Sequence, residues 1–227
     1  MITLAVDTSV TTGVALLKDD DIRAELSVRT GRNHAETLLP AIEGGLASGG
    51  IGKEQIDLFA VAVGPGSFTG LRVGVSTVKG LAFVLQKPVI GVCTLDALVL
   101  NIAYTGRQII VCPMLDAGRG EIYTALYRIS GPDTHEKMFG ERIVRPDEFL
   151  DSLGGDIVFL GDGAEKYRDR IDKILPVRSS VAPSRFNQVR AAAVGLAGRK
   201  KFLGGDLSDV MTLVPYYLRS SYAAGDE

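Results

Sequence analysis

Apolar positions along this chain follow two rhythms. Residues 3–7, 13–17 and 22–28 are short apolar or alternating runs, and the turn-prone Lys18-Asp19-Asp20-Asp21 joins the last two, so the pattern predicts an antiparallel meander. Asn33, with Glu36 three residues on, is placed to open a helix whose stripe is Leu38, Leu39, Ile42 and Leu46, kinked at Pro40. Residues 58–63 are an uncharged apolar run, the mark of a strand buried on both faces. The turn Gly64-Pro65-Gly66-Ser67-Phe68-Thr69-Gly70 follows, and from Leu71 the period becomes helical, with Leu71, Val75, Val78, Ala82 and Leu85 along one face. Val73, Gly74, Thr77 and Gly80 leave most of the remaining girth small or apolar, so this helix must be buried in its domain or covered by another chain. Gly70 and Gly74, four residues apart, allow a neighbouring backbone to approach closely.

A strand at 89–92 and a helix at 95–103 complete a βββαβαβα half. The chain restarts near 104–107 with a strand at 109–115, its hairpin partner at 122–129 and a polar loop at 130–140. Pro146 opens a short helix; then come a strand at 157–160, helices at 164–174 and 185–202, and an apolar tail at 213–219 that packs back on the body. Aspartate or glycine turns after strands recur at Asp7, at Asp116 and at Gly161-Asp162-Gly163, which predicts two related α/β lobes, residues 1–104 and a shorter 105–227, meeting at a cleft.

The turns supply the candidate chemistry. A glycine-rich loop entering a helix holds anions through unpaired N–H groups, so Asp7, Thr8, Ser9, Gly64, Gly66, Ser67, Thr69, Gly70, Asp116, Gly161 and Gly163 are the candidate nucleotide contacts. The loop is not a Walker motif, because Leu71-Arg72 stands where Lys-Ser/Thr is needed, and Thr69 replaces a glycine of the dinucleotide fingerprint. Ser67 lacks the nucleophile-elbow spacing, since Thr69 also replaces its second glycine. His34 and His135 are the chain's two histidines, without helical two-His spacing, so no metal site is expected. These absences leave no catalytic residue to nominate.

Composition narrows the class. With 46% hydrophobic and 23% charged residues and a net charge of −2, the 227-residue chain is an ordinary globular one without the balance of a nucleic-acid binder. Cys93 and Cys112 lack CxxC spacing and read as reduced core thiols. The first strand starts at the N-terminus, and no apolar run approaches the ~20 residues of a membrane span. A soluble cytoplasmic protein with no signal peptide is the expectation.

The string at 64–74, GPGSFTGLRVG, with Asp7-Thr8-Ser9 upstream and His34-Ala35-Glu36 opening the next helix, resembles the bacterial TsaB family (formerly YeaZ). Residues 114–123, MLDAGRGEIY, and 215–219, PYYLR, are similar to that family's second-lobe and C-terminal motifs. The resemblance implies an α/β, actin/Hsp70-like (ASKHA) two-lobe fold with mixed sheets and a truncated second lobe. It also implies a non-catalytic scaffold in the complex forming threonylcarbamoyladenosine in tRNA, bound to the catalytic paralogue TsaD and recruiting the ATPase TsaE. A homodimer without the partner, contact with tRNA through the complex, and no required cofactor beyond weak ATP or ADP contact belong to the same expectation. Family pairing, a bundle of the first two helices of each partner, points to Leu38, Ile42, Leu71, Val75, Val78 and Ala82 as the interface. Aspartate at Val75 or Val78 is then expected to weaken partner binding while leaving the monomer soluble. The competing class is a stand-alone actin-fold kinase or ATPase; peptidase chemistry lacks its histidine pair.

Overall fold

The computed structural model describes residues 1–29, 34–102, 108–131, 134–175 and 179–219. The chain divides into two compact units, Met1–Ala97 with Val189–Tyr216, and Leu98–Gln188 with the residues after Tyr216. The single cut expected at 104/105 falls outside the described residues, and the chain returns to the first unit near its end.

In the first unit β1 (Ile2–Asp7), β2 (Thr12–Lys18) and β3 (Asp21–Val28) form the expected antiparallel meander. β4 (Leu58–Gly64) and β5 (Val89–Cys93) extend it in parallel, giving the order β3-β2-β1-β4-β5. α1 (His34–Gly49) runs unbroken through Pro40; its expected cap, Asn33, lies outside the described residues. α2 (Phe68–Leu85) follows β4, and the short α3 (Thr94–Val99) follows β5.

Alternation along the strands assigns the faces. Leu4, Val6, Val14, Leu16, Phe59 and Val61 form one core with Leu38 and Ile42 of α1 and Val75, Val78 and Ala82 of α2. The opposite face takes α7 (Ala191–Leu203), whose small residues bring it close: a Cβ on Gly195 would lie 2.4 Å from Leu17 and 3.1 Å from Ala5, and one on Gly198 2.6 Å from Ala60. A sheet covered on both faces explains the uncharged residues 2–6 of β1 and the uncharged β4. α2 has the length and apolarity of a membrane span, with 18 residues of mean hydropathy 1.3, contrary to the expectation that no segment approaches one; its stripe in this core accounts for that composition.

The second unit repeats the topology. β6 (Ile109–Gly118), β7 (Glu121–Gly131) and β8 (Thr134–Val144) are antiparallel, and β9 (Ile157–Leu160) and β10 (Ser179–Val181) continue in parallel on the other side of β6, in the order β10-β9-β6-β7-β8. Its helices are short: α4 (Pro146–Asp151) before β9, then α5 (Asp162–Lys166) and α6 (Arg168–Ile174) before β10. Phe149, Leu150, Ala164 and Ile171 pack on Cys112, Met114, Ile122 and Phe159.

Three expectations need correction. Much of the loop expected at 130–140 is β8, whose charges suit an edge strand and pair across it, as Arg128 does with Glu136 at 3.0 Å. The helix expected at 164–174 breaks at Tyr167, which is non-helical at φ −105°. The helix expected from residue 185 begins at Ala191, after a 3₁₀ turn at Ser184–Phe186.

Candidate functional site

β1 and β4 are parallel neighbours, so their C-terminal exits lie at the same edge of the sheet. The turn Asp7-Thr8-Ser9 therefore meets the loop 64–70. The Ser67 N–H donates to the Ser9 carbonyl at 2.7 Å. A Cβ on Gly66 would stand 2.7 Å from the Ser9 carbonyl oxygen, and one on Gly70 2.1 Å from that of Thr8. On Gly74 it would reach the Thr8 hydroxyl at 2.2 Å. The close approach read from the Gly70–Gly74 spacing is thus made, and the neighbouring backbone is the chain's own Thr8.

This packing fills one side of the loop, and further bonds tie down its ends. Ser67 caps α2 itself, its Oγ accepting from the Gly70 N–H at 3.2 Å and its carbonyl from Leu71 at 2.9 Å. Gly64 is covered by the C-terminal segment, where the Tyr216 N–H donates to the Val63 carbonyl at 2.7 Å. Lys79 holds that segment through the Met211 and Leu213 carbonyls at 3.0 and 2.9 Å. Ser67 and Thr69 are exposed.

Asp7 is wholly buried, and its Oδ1 accepts from the Ser9 N–H at 3.0 Å and the Ser9 hydroxyl at 2.6 Å. Its Oδ2 and the buried Thr8 hydroxyl have no partner among the described residues. Burial pushes the Asp7 carboxyl up to about 6, with the two Ser9 bonds opposing the rise. His34 is tied into the same corner by Thr12, Nδ1 to Oγ1 at 2.9 Å, and burial holds its pKa below the ordinary histidine value.

The second unit builds the equivalent edge. β6 and β9 are parallel, and the Asp162 carboxylate accepts from the Asp116 N–H at 3.0 Å and the Gly163 N–H at 2.8 Å. Burial raises the Asp162 pKa. The Lys166 ammonium pairs with Asp116 at 2.8 Å, and the Gly161 N–H donates to the Asn187 side chain at 3.0 Å. Asn187 also donates to the Ala182 carbonyl and to Glu165. No motif marks Asn187, and its role is visible only once β9 and the 3₁₀ turn come together. Within each unit the predicted turn residues are assembled, and their polar groups are largely spent on each other.

The predicted partner face is overturned. Leu38, Ile42, Leu71, Val75, Val78 and Ala82 are each at most 5% exposed and belong to the first unit's interior. Both sides of α2 are apolar, and the sheet has taken the stripe nominated for the partner. The outward side holds Phe68, Arg72, Ser76, Gly80, Phe83 and Val84, with Phe83 65% and Val84 77% exposed. Arg72 stacks over Phe68 at 4.6 Å from its ring centre, and on α1 Leu39 is exposed.

Residues 28–224 match the family model described as TsaD, tRNA N6-adenosine threonylcarbamoyltransferase. The chain is 31% identical to the tRNA threonylcarbamoyladenosine biosynthesis protein TsaB of Bacillus subtilis, over 98% of this chain and 96% of that protein. It is similar to the structure of YeaZ from Pseudomonas aeruginosa, with a TM-score of 0.81 at 26% identity, covering 96% of this chain and 99% of that one. The activator of the 2-hydroxyisocaproyl-CoA dehydratase from Clostridium difficile, solved with bound ADPNP, shares the fold alone, with a TM-score of 0.53 at 10% identity over 90% of this chain and 97% of that one. The expected actin/Hsp70-like α/β fold is the one found.

Proposed function

We propose a specific role for this chain, which belongs to the TsaB family of tRNA threonylcarbamoyladenosine biosynthesis proteins: it is the non-catalytic subunit that binds and supports a TsaD-like paralogue. The observation that carries this reading is the outward face of α2. Phe83 and Val84 stand in water beside the small Ser76 and Gly80, with Leu39 exposed on α1. An exposed apolar surface of this kind marks a docking site, and small residues let a partner helix come close. The partner surface of this reading lies one helix side away from the residues nominated from the sequence.

The turns support the same reading. Asp7 is sealed from solvent, Asp116 is neutralised by Lys166, and the loop before α2 is filled by Thr8 and Ser9. The one carboxylate of these turns that faces solvent, Asp116, is held by Lys166, so on this reading neither turn supplies a general base for phosphoryl transfer, and ATP or ADP contact is no more than weak. The chain works in the cytoplasm, recruits a TsaE-like ATPase together with the paralogue, meets tRNA within that assembly, and self-associates through the same face when the paralogue is missing.

Reconstitution tests the role. With the cognate TsaD-like and TsaE-like proteins, threonylcarbamate donor and tRNA, modification should require this chain, while the chain alone should turn over no ATP. ATP turnover by the purified chain alone would favour the stand-alone kinase or ATPase instead.

A further inference from the structure

A second surface lies in the other unit, beside the turn that holds Asp116 and Asp162. Arg119, at the tip of the β6–β7 hairpin, Arg145, just before α4, and Arg170 of α6 converge with Tyr167 on an open cavity of about 420 Å³. The acidic groups around it are mostly spent: Asp147 on Arg170 at 2.9 Å, Asp116 on Lys166 at 2.8 Å, and Glu121 on Arg219. Arg119 and Arg145 have no charged partner among the described residues, and both are exposed. Glu148 is the one carboxylate on the cavity wall without a partner. Two uncommitted guanidinium groups and one uncommitted carboxylate line the cavity with the half-buried Tyr167, whose ring has the Lys166 ammonium 5.3 Å from its centre.

We propose that this cavity binds a single-stranded stretch of RNA, Arg119 and Arg145 holding a backbone phosphate and the base lying toward Tyr167. Guanidinium groups match phosphate oxygens in paired hydrogen bonds, and unpaired bases stack on aromatic rings. A cavity of this size takes one nucleotide. The frame is fixed by burial of Pro146, Phe149 and Leu150 beneath Arg145 and by the Tyr167 N–H donating to the Gly163 carbonyl at 3.0 Å. The proposal rests on the tRNA-modification reading for the identity of the RNA, and on this cavity alone for its chemistry.

The test is fluorescence anisotropy of the full-length chain with labelled tRNA transcript across a salt series. The variants are Arg119→Ala/Arg145→Ala, Glu148→Gln, and a remote control of equal charge change, Arg23→Ala/Arg128→Ala. A phosphate contact contributes about 0.7 to the log–log salt slope for single strands, so the double variant, which releases the one phosphate, should lose about 0.7 of that slope. Glu148→Gln should tighten binding about twofold, by removal of one repelling charge. A double variant with the wild-type slope, or one indistinguishable from the control, overturns the proposal. So does displacement of the RNA by poly-glutamate at equal charge concentration, which would mark the cavity as a site for acidic protein. Capture of the TsaD-like paralogue is measured in parallel. Its failure for the wild-type chain would sink the subunit reading, whereas the anisotropy result alone decides the cavity.

Discussion

The two units have one topology and two different uses of it. Three antiparallel strands and two parallel ones stand in the order β3-β2-β1-β4-β5 in the first and β8-β7-β6-β9-β10 in the second. The first places the 16-residue α1 and the 18-residue α2 in its connections; the second places a 6-residue helix and a pair of 5 and 7 residues. Long helices have two sides, so α2 buries one apolar stripe and still shows Phe83 and Val84 to solvent. The short helices keep one buried spot each and turn arginines and carboxylates outward. The comparison teaches that helix length, with the strand order unchanged, decides which unit leaves an apolar helix side in solvent and which presents charge.

The largest effect that would sharpen this contrast lies inside α2. Val78→Asp should cost roughly 3–5 kcal/mol in urea unfolding, because it puts a carboxylate into a fully buried apolar site. Val75→Asp, first expected to spare the monomer, should do the same. Phe83→Asp on the outward side should change stability by less than about 0.5 kcal/mol. Equal losses for the two sides would break the assignment of stripes.

The Asp7 corner comes next, through pH. Its folded carboxyl, raised from 3.8 to about 6, stays protonated where the unfolded chain has already ionised. The unfolded state then binds fewer protons, so stability falls as pH rises from about 4 to about 6 and is level beyond. At about 1.4 kcal/mol per pKa unit the loss is at most about 3 kcal/mol. Asp7→Asn keeps a side-chain oxygen to accept from Ser9, and should flatten this fall while matching wild type near pH 4. An unchanged slope in the pH dependence of the unfolding midpoint would show that Asp7 is not the group responsible.

The glycines of α2 give a smaller, signed pair. Gly74→Ala meets the Thr8 hydroxyl at 2.2 Å and should destabilise by about 1–3 kcal/mol. Gly80→Ala has nothing within 4 Å and should stabilise by about 1 kcal/mol through helix propensity. If the partner helix packs over Gly80, the same methyl weakens its binding. Smallest is Lys166→Ala, whose solvent-screened pair with Asp116 should leave the thermal unfolding midpoint close to wild type.

Much of this arrangement was legible in the chain. The meander, the strand–turn–helix at 58–85, the hairpin at 109–129 and the recurrence of turns after strands were all written in local periodicity. What escaped shares a physical cause: it depends on which neighbour wins. The period of α2 locates an apolar stripe but does not say that the sheet takes Leu71, Val75, Val78 and Ala82 and leaves Phe83 and Val84 outside. The charges of β8 resemble a loop until Arg128 and Glu136 meet across strands. The Gly70–Gly74 spacing announces a close approach without saying that the neighbour is the chain's own Thr8. Arg119, Arg145 and Arg170 lie on three separate elements, so no local pattern joins them.

The account turns on the outward face of α2, and titration calorimetry of the TsaD-like paralogue against wild type and Phe83→Asp tests it most directly. The account predicts at least a hundredfold loss of affinity in Phe83→Asp with an unchanged unfolding midpoint. Wild-type affinity in that variant would contradict it.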